Sequence, residues 1–147
     1  MEKFDQSYIA MAGVWAQNSY CKRRQVGALL VKDRMIISDG YNGTPSGFEN
    51  ICEDENGITK PYVLHAEANA IVNGNPLDVV GATLYLAGTD AASNNATKQM
   101  RPCSMCQRLI LNAQIARVVM RDVDGNLVSE DPLTWDDDLP EKIARDM

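Results

Sequence analysis

The chain's only histidine, among 147 residues, lies in the segment Leu64-His65-Ala66-Glu67-Ala68-Asn69-Ala70-Ile71. A second segment, farther along the chain, reads Pro102-Cys103-Ser104-Met105-Cys106. Together the two segments offer one imidazole, two thiolates and one free carboxylate. A catalytic zinc ion keeps three protein ligands and one open position for water. This donor set therefore predicts a zinc centre with an acid–base group beside it.

The spacing of these residues predicts that each segment begins a helix. In mid-helix, His65 and Glu67 would point about 200° apart around the axis, but in a first turn both can converge just beyond the helix end. Cys103 and Cys106 are three residues apart and share a helix face, and a helix N-terminus favours thiolate over thiol. Pro102 suits a helix start because its missing N–H would be unpaired there. We expect two helix N-termini to face each other across a sheet edge.

Other interpretations of these residues stay open. A lone Cys-x-x-Cys motif is also typical of a redox pair, although His65 and Glu67 would then have no role. A structural zinc site needs a fourth ligand, which Cys21 or Cys52 could supply; in a zinc-stabilised binding module without catalysis, Glu67 would be unused. Because no export signal is apparent, we expect no disulfide framework, and we expect Cys52 to be structural or inert.

The order of predicted elements indicates an α/β fold. Residues 4–19 form a predicted helix whose buried stripe is Phe4, Tyr8, Met11 and Trp15, with Val14 less regular. The remaining predicted elements are a hairpin (26–31 and 35–38), a helix from 65 to about 73, a strand (82–86), a helix (103–113), a strand (115–120) and a short helix from Pro140. The strands are apolar on nearly every residue, so we expect helices on both sheet faces and a mostly parallel later part of the sheet.

Two polar stretches are candidate binding elements. Residues 22–24 are three consecutive cations in an acidic chain, which is typical of a solvated loop or of a phosphate-binding corner, where the planar arginine fork suits phosphate. Residues 39–47 hold three glycines and a proline and are predicted to form a loop. Glycine permits close approach of the backbone to a ligand, and Asn42, Thr44 and Ser46 add short hydrogen-bonding side chains.

Composition places limits on the function. Hydrophobic residues make up 45% and charged residues 23% of the chain, and the net charge is -6. This acidity argues against a nucleic-acid partner. No apolar run approaches the roughly 18 residues of a membrane span, and we see no signal peptide, so we expect a cytoplasmic protein without a membrane partner.

We expect one domain, 1–147, in which about 121–147 is a divergent acidic tail.

The motif His-x-Glu followed by Pro-Cys-x-x-Cys is the signature of zinc deaminases. Segments 21–28, 40–47, 65–71 and 111–113 closely resemble the deoxycytidylate (dCMP) deaminases, within the zinc-dependent cytidine/deoxycytidylate deaminase family. The resemblance covers about residues 4 to 120. It implies a three-layer α/β/α cytidine-deaminase-like fold with a central mixed sheet of about five strands.

The resemblance also implies an activity, which is the hydrolytic deamination of dCMP to dUMP and ammonia. In this chain the zinc ligands would be His65, Cys103 and Cys106, and Glu67 would be the catalytic proton shuttle. The implied substrate contacts are Arg23 with help from Ser46 for the 5'-phosphate, Asn42 for the sugar, and the backbone N–H of Ala66 for the base carbonyl.

Relatives imply further partners. Many are homo-oligomers, often hexamers, activated by dCTP and inhibited by dTTP with Mg²⁺, and the loop with Tyr41, Gly43 and Thr44 is the candidate effector loop.

Two features depart from the family pattern: Cys103 follows His65 by 38 residues, and Arg101 stands where an aromatic residue often precedes Pro-Cys. Alternative functions are a tRNA adenosine deaminase-like enzyme, which shares Pro-Cys-x-Met-Cys, and a deaminase of another free cytosine nucleotide or nucleoside.

Overall fold

A mixed β-sheet with helices on both faces forms the fold. The computed structural model describes residues 2–90, 95–96 and 101–135. The strands run in the order β2-β1-β3-β5-β6, and the two-residue β4 pairs with β3. Their bounds are β1 Arg24–Lys32, β2 Met35–Tyr41, β3 Thr83–Asp90, β4 Asn95–Ala96, β5 Arg117–Arg121 and β6 Leu127–Glu130. The helices are α1 Asp5–Ala16, α2 Ala66–Asn73, α3 Pro76–Val79 and α4 Ser104–Asn112, and a 3-10 turn spans Pro132–Trp135.

The predicted hairpin is present, but its second strand is longer than predicted. Asp33 and Arg34 form the turn with positive φ angles of 52° and 67°, as a two-residue hairpin turn that matches the strand twist requires. The β2 strand continues to Tyr41, with Gly40 paired to Ala28. Turn chemistry predicts residues 39–41 as loop, but they form strand because the backbone of β1 continues beside them, at residues 27–29, and pairs with them.

The prediction of a mostly parallel later sheet is wrong in detail. Only β3 and β5 are parallel among the described strands, because α4 provides the long crossover that a parallel pair needs. The β6 strand returns antiparallel to β5 through a tight turn in which Gly125 has a φ of 84°. Residues 121–135 thus add a strand and a 3-10 turn to the fold, where the sequence indicated only an acidic tail; the helix predicted from Pro140 lies outside the described residues.

The buried face of α1 is not the predicted one. The residues against the sheet are Asp5, Ile9, Ala12 and Ala16, whereas Trp15 and Met11 are partly exposed. The cause is close approach to β1: a Cβ on Gly27 would lie 2.1 Å from the carbonyl oxygen of Ala12. Ala12 and Ala16 therefore face the sheet in place of Met11 and Trp15, and Tyr8 is the member of the predicted stripe that packs against it, with its ring centre 5.0 Å from that of Tyr85.

Two apolar clusters lie on opposite faces of the sheet, as the apolar strands predict. On one face α1 packs against β1 and β3, with Ile9 and Tyr85 in the cluster. On the other face α2 and α4 cover β1, β3 and β5, and Trp135 of the 3-10 turn completes the cluster. This arrangement confirms the predicted α/β/α layering. Within the described part of the chain, no helix is long and apolar enough to cross a bilayer.

A buried charged network joins α1 to the sheet. Asp5 is fully buried, accepts a 2.6 Å hydrogen bond from the Tyr85 hydroxyl and pairs with the Arg117 guanidinium. Arg117 also donates to Ser129 of β6 at 2.8 Å. Burial alone would raise the pKa of Asp5, but hydrogen bonds from Arg117 and Tyr85, together with the charge of Arg117, hold that pKa below its usual value.

We expect Asp5→Asn to lower the free energy of unfolding by about 3 kcal/mol near pH 7, because Arg117 loses the buried one of its two carboxylate partners and keeps only the exposed Glu2. Since the folded-state pKa lies below the unfolded value, the carboxylate stabilises the fold above about pH 4. Its contribution is lost as the pH falls through the folded-state pKa. Urea unfolding at several pH values should show the difference between wild type and Asp5→Asn shrinking toward low pH. The exposed Asp78→Asn is the control, and a pH-independent difference would contradict the ionic role.

Candidate active site

Two helix N-termini bring the histidine and the cysteine pair together. His65 is the residue before α2 and Cys103 the residue before α4, both with extended backbone. The His65 Nδ1 atom lies 3.5 Å from the Cys103 Sγ atom and 3.4 Å from the Cys106 Sγ atom. Both helices therefore present their ligand-bearing ends to one point, as the spacing predicts.

The arrangement fits a tetrahedral zinc ion. Zinc bonds of roughly 2.0–2.1 Å to imidazole nitrogen and 2.3 Å to thiolate place these donor atoms about 3.6 Å apart. The two observed nitrogen–sulfur distances lie close to that value, and the three donor atoms all lie within 4.8 Å of one another. Cys106 is buried, while His65 and Cys103 reach the surface, so the open side of the triad faces a cavity.

The electrostatics of the triad favour thiolate at Cys103. A hydrogen bond from the Cys106 thiol, opposed by burial and helped by His65, lowers the pKa of Cys103 to about 4. The same hydrogen bond and burial raise the pKa of Cys106. The hydrogen bond with Cys103 raises the pKa of His65 against the effect of burial. Cys103 is thus the sulfur that carries negative charge, which is the form that binds zinc, whereas Cys106 must lose its proton when a metal binds.

Glu67 lies in the first turn of α2 and lines the same cavity as His65 and Cys103. It is only 6% exposed, and burial raises the pKa of its carboxyl group. A raised pKa brings the group closer to the range in which it can both accept and return a proton. Glu67 therefore has the position and environment of a general acid–base residue.

A cavity of about 400 Å³ extends from this centre to the start of β1. That volume is within the range of small-molecule sites. Besides Glu67, the cavity is lined by three of the predicted substrate contacts: Arg23, Asn42 and Ala66. Ala66 opens α2, where backbone N–H groups lack partners within the helix.

Asn42 is held firmly against β1. Its Oδ1 atom accepts the Val26 N–H at 2.8 Å, and its Nδ2 atom donates to the Arg24 carbonyl at 2.7 Å. Its own carbonyl accepts a hydrogen bond from the Ser19 hydroxyl at 2.8 Å. An amide nitrogen has two hydrogens, so the predicted sugar contact requires only the second of them.

The expectation that the chain has no disulfide is wrong for Cys21 and Cys52. Cys21 and Cys52 are buried, with Cα atoms 5.2 Å apart, and form a disulfide. Folding brings them together across 31 residues, which spacing alone does not reveal, and the bond takes both sulfurs away from the role of fourth zinc ligand. A cross-link that closes a loop of this length stabilises a fold by about 3–4 kcal/mol in chain-entropy terms.

Glu53, which sequence reasoning missed, lies beside this disulfide. Its carboxylate accepts the backbone N–H groups of Lys22, at 3.1 and 3.2 Å, and of Arg23, at 3.1 Å. Glu53 also lines the cavity. The disulfide and Glu53 together fix the polar corner that carries Arg23.

The remaining predicted contacts lie farther from the centre. Ser46 is in an exposed turn and is absent from the cavity lining. Thr44 bonds the Tyr20 hydroxyl through its own hydroxyl at 2.8 Å and its N–H at 2.9 Å, and Gly43 packs beside the same hydroxyl. The Tyr41 ring meets Trp15 edge-on. The effector role of this loop stays a prediction.

Comparisons with known proteins agree with this geometry. The sequence model of the cytidine and deoxycytidylate deaminase zinc-binding region matches residues 2–121. A deoxycytidylate deaminase of Mycobacterium phage D29 is 33% identical over 130 residues, which span 79% of this chain and 92% of the relative. The human deoxycytidylate deaminase is 35% identical over 120 residues, spanning 76% of this chain but only 61% of the human protein.

Solved structures show the same similarity. The crystal structure of dCMP deaminase from the cyanophage S-TIM5, in complex with dCMP and dUMP, superposes with a TM-score of 0.66 at 36% identity, covering 83% of this chain and 84% of that one. Cytidine deaminase from Burkholderia pseudomallei shares the fold at 17% identity, with a TM-score of 0.57 over 90% of this chain and 94% of that one. The chain therefore belongs to the zinc-dependent cytidine and deoxycytidylate deaminase family.

Proposed function

We propose that this protein hydrolyses dCMP to dUMP and ammonia. The observation that carries the proposal is a single cavity that joins the His65, Cys103 and Cys106 triad and Glu67 to the Arg23 corner. The triad and Glu67 suit hydrolysis of an amidine carbon–nitrogen bond, and an arginine in the same cavity suits a phosphate. Relatives that carry the name deoxycytidylate deaminase cover most of this chain.

In the proposed mechanism, each of these residues has a separate role. His65, Cys103 and Cys106 would hold the zinc ion, which would act as a Lewis acid and lower the pKa of a water molecule toward neutrality. Glu67 accepts a proton from the attacking water and passes it to N3 of cytosine; it then takes the second proton from the hydroxyl on C4 and delivers it to the amine that leaves C4. One water is consumed and one ammonia released, and C4 ends as a carbonyl. The Ala66 N–H, at the start of α2, orients the base through its other carbonyl.

The role of Arg23 is open to a direct test. We expect Arg23→Ala to raise the KM for dCMP at least about tenfold, because a charge-assisted bidentate contact to phosphate is lost. The KM for deoxycytidine, which has no phosphate, should change little. Steady-state ammonia release with both substrates measures the difference. Lys22→Ala is the matched control, since Lys22 is an exposed neighbour outside the cavity lining, and equal losses on both substrates would remove the phosphate role.

A substrate panel tests the reaction itself. Ammonia release should be fastest with dCMP when dCMP, dCTP, CMP, deoxycytidine and guanine are compared with a tRNA anticodon stem-loop. The net charge of -6 favours the free nucleotide, because phosphate polyanions are repelled by an acidic surface. Faster reaction with the stem-loop would assign the protein to the nucleic-acid base deaminases instead.

Regulation and assembly follow from the family resemblance alone. Activation by dCTP, inhibition by dTTP with Mg²⁺, a homo-oligomer such as a hexamer, and a cytoplasmic location stay predictions. Rates measured with each effector, with and without Mg²⁺, and light scattering of the purified protein test the regulation and the assembly.

A further inference from the structure

Arg101 stands at the metal end of the substrate cavity. It precedes the predicted zinc ligand Cys103 by two residues, which limits their Cα separation to about 7 Å. It lines the same cavity as His65 and Glu67. Arg23, the candidate phosphate contact, stands where β1 begins. Arg101 therefore lines the cavity with its backbone close to the predicted metal site.

Two residues from the segment that follows β5 hold the Arg101 guanidinium in place. The Arg101 Nε atom lies 3.5 Å from Glu130 Oε1, and its Cζ atom lies 6.0 Å from the centre of the Trp135 ring. The same Glu130 oxygen accepts a 2.7 Å hydrogen bond from the Trp135 indole N–H. Trp135 is itself buried in the core, so the guanidinium is positioned by a rigid support.

This support decides which kind of contact Arg101 offers. Its positive charge is already balanced by Glu130, so it is a poor choice for a second phosphate contact. The flat face of its guanidinium is still available for contact, and such planar groups stack on nucleobases much as aromatic rings do. Lysine has no such plane, which separates a stacking role from a charge role.

We propose that Arg101 is a specificity-determining residue whose guanidinium plane packs against the pyrimidine ring of the substrate. Glu130 and Trp135 are the positioning residues that hold the plane in place. The proposal rests on the proposed deamination of a cytosine nucleotide, and it adds the residue that contacts the base of that nucleotide.

The test compares side chains that separate planarity from charge. Arg101→Lys and Arg101→Ala should each raise the KM for dCMP about tenfold, the size of one base-stacking contact, and should raise the KM for deoxycytidine by the same factor, because the base is common to both. Arg101→Phe, which is planar and uncharged, should stay within about threefold of wild type. Arg108→Ala, an exposed arginine on α4 outside the cavity lining, is the matched control, and zinc content verifies that each variant is folded.

The positioning residues are tested by a double-mutant cycle. Glu130→Gln should raise the KM for dCMP about threefold when Arg101 is present and have no effect in the Arg101→Phe background, because a phenyl ring needs no counter-charge. A merely structural role of Glu130 would give the same loss in both backgrounds, and that result would overturn the positioning role.

A binding measurement separates this inference from the reaction. The chain has two tryptophans, so a Glu67→Ala/Trp15→Phe variant reports on Trp135 alone. Titration with dCMP should change the Trp135 emission, and adding Arg101→Lys should weaken the measured affinity about tenfold. Absence of ammonia release from dCMP by wild type would refute the proposed function, whereas equal affinity with and without the Arg101→Lys substitution would overturn only the stacking role.

Discussion

Deamination should fall at least about 100-fold in Glu67→Ala, the lower end for loss of a general acid–base group, while the bound zinc remains. The side chain is buried in the first turn of α2 and lines the cavity next to His65. It is not needed as a ligand, because the nitrogen and two sulfurs already meet at tetrahedral distances. Its removal should therefore abolish proton transfer without emptying the metal site.

Two measurements make this result decisive. Ammonia release gives the rate, and elemental analysis gives the zinc content of the same preparation. Glu67→Gln is the isosteric companion, which keeps the volume but cannot accept the proton, and Glu55→Ala on the exposed loop controls for loss of a carboxylate elsewhere. Loss of zinc together with activity would assign Glu67 to the metal site and contradict the proton-transfer role.

The second large effect is expected for His65→Ala, which should lose both zinc and measurable activity. Only Cys103 and Cys106 would remain of the triad, and two thiolates leave a tetrahedral ion with half of its positions unfilled. Since a bound metal stabilises the folded state, wild type should show a lower melting temperature after treatment with a chelator. His65→Ala should show no such change.

The readouts here are zinc stoichiometry, expected at about one per wild-type chain, and the shift in melting temperature on chelation. Asn69→Ala in the same helix is a control for substitution in α2 outside the triad, although it removes a 2.9 Å hydrogen bond to the Tyr41 carbonyl. Full zinc content in His65→Ala would show that another group holds the ion, and the triad would then be wrong.

The site motif was predictable because its information is local. Spacings of two and three residues, with Pro102 at a helix start, depend only on the geometry of a first helical turn, and α2 and α4 begin where that geometry requires. The apolar strands predicted helices on both sheet faces, and the family resemblance implied the three-layer fold with about five strands. The sheet around the site follows the apolar runs, although β2 extends past its run to Tyr41.

Features that depend on distant contacts were missed. Periodicity favoured an aromatic stripe on α1, but backbone approach at Gly27 selects Ala12 and Ala16 for the buried face. The Asp5 carboxylate is buried because Arg117, far along the chain, neutralises it. Such pairs leave no mark on the local hydrophobic pattern, since each partner alone is typical of an exposed surface.

The end of the described chain shows the same limit. Acidic composition after residue 121 predicts a tail, yet Leu127–Glu130 pairs with β5 and Trp135 enters the core. A four-residue strand with two polar positions is too short for its alternation to stand out. The partners of Arg101 therefore could not be foreseen, although the residue itself was conspicuous before Pro-Cys.

The link between Cys21 and Cys52 has a practical consequence for handling the protein. It fastens the segment that carries Glu53 beside Arg23, and the predicted zinc ligands His65 and Cys103 line the same cavity. A reductant such as tris(2-carboxyethyl)phosphine in a buffer thus acts on the disulfide, and EDTA competes for the metal, while dithiothreitol can do both. Preparations purified with and without these reagents should be assayed as distinct samples, never pooled as one enzyme stock.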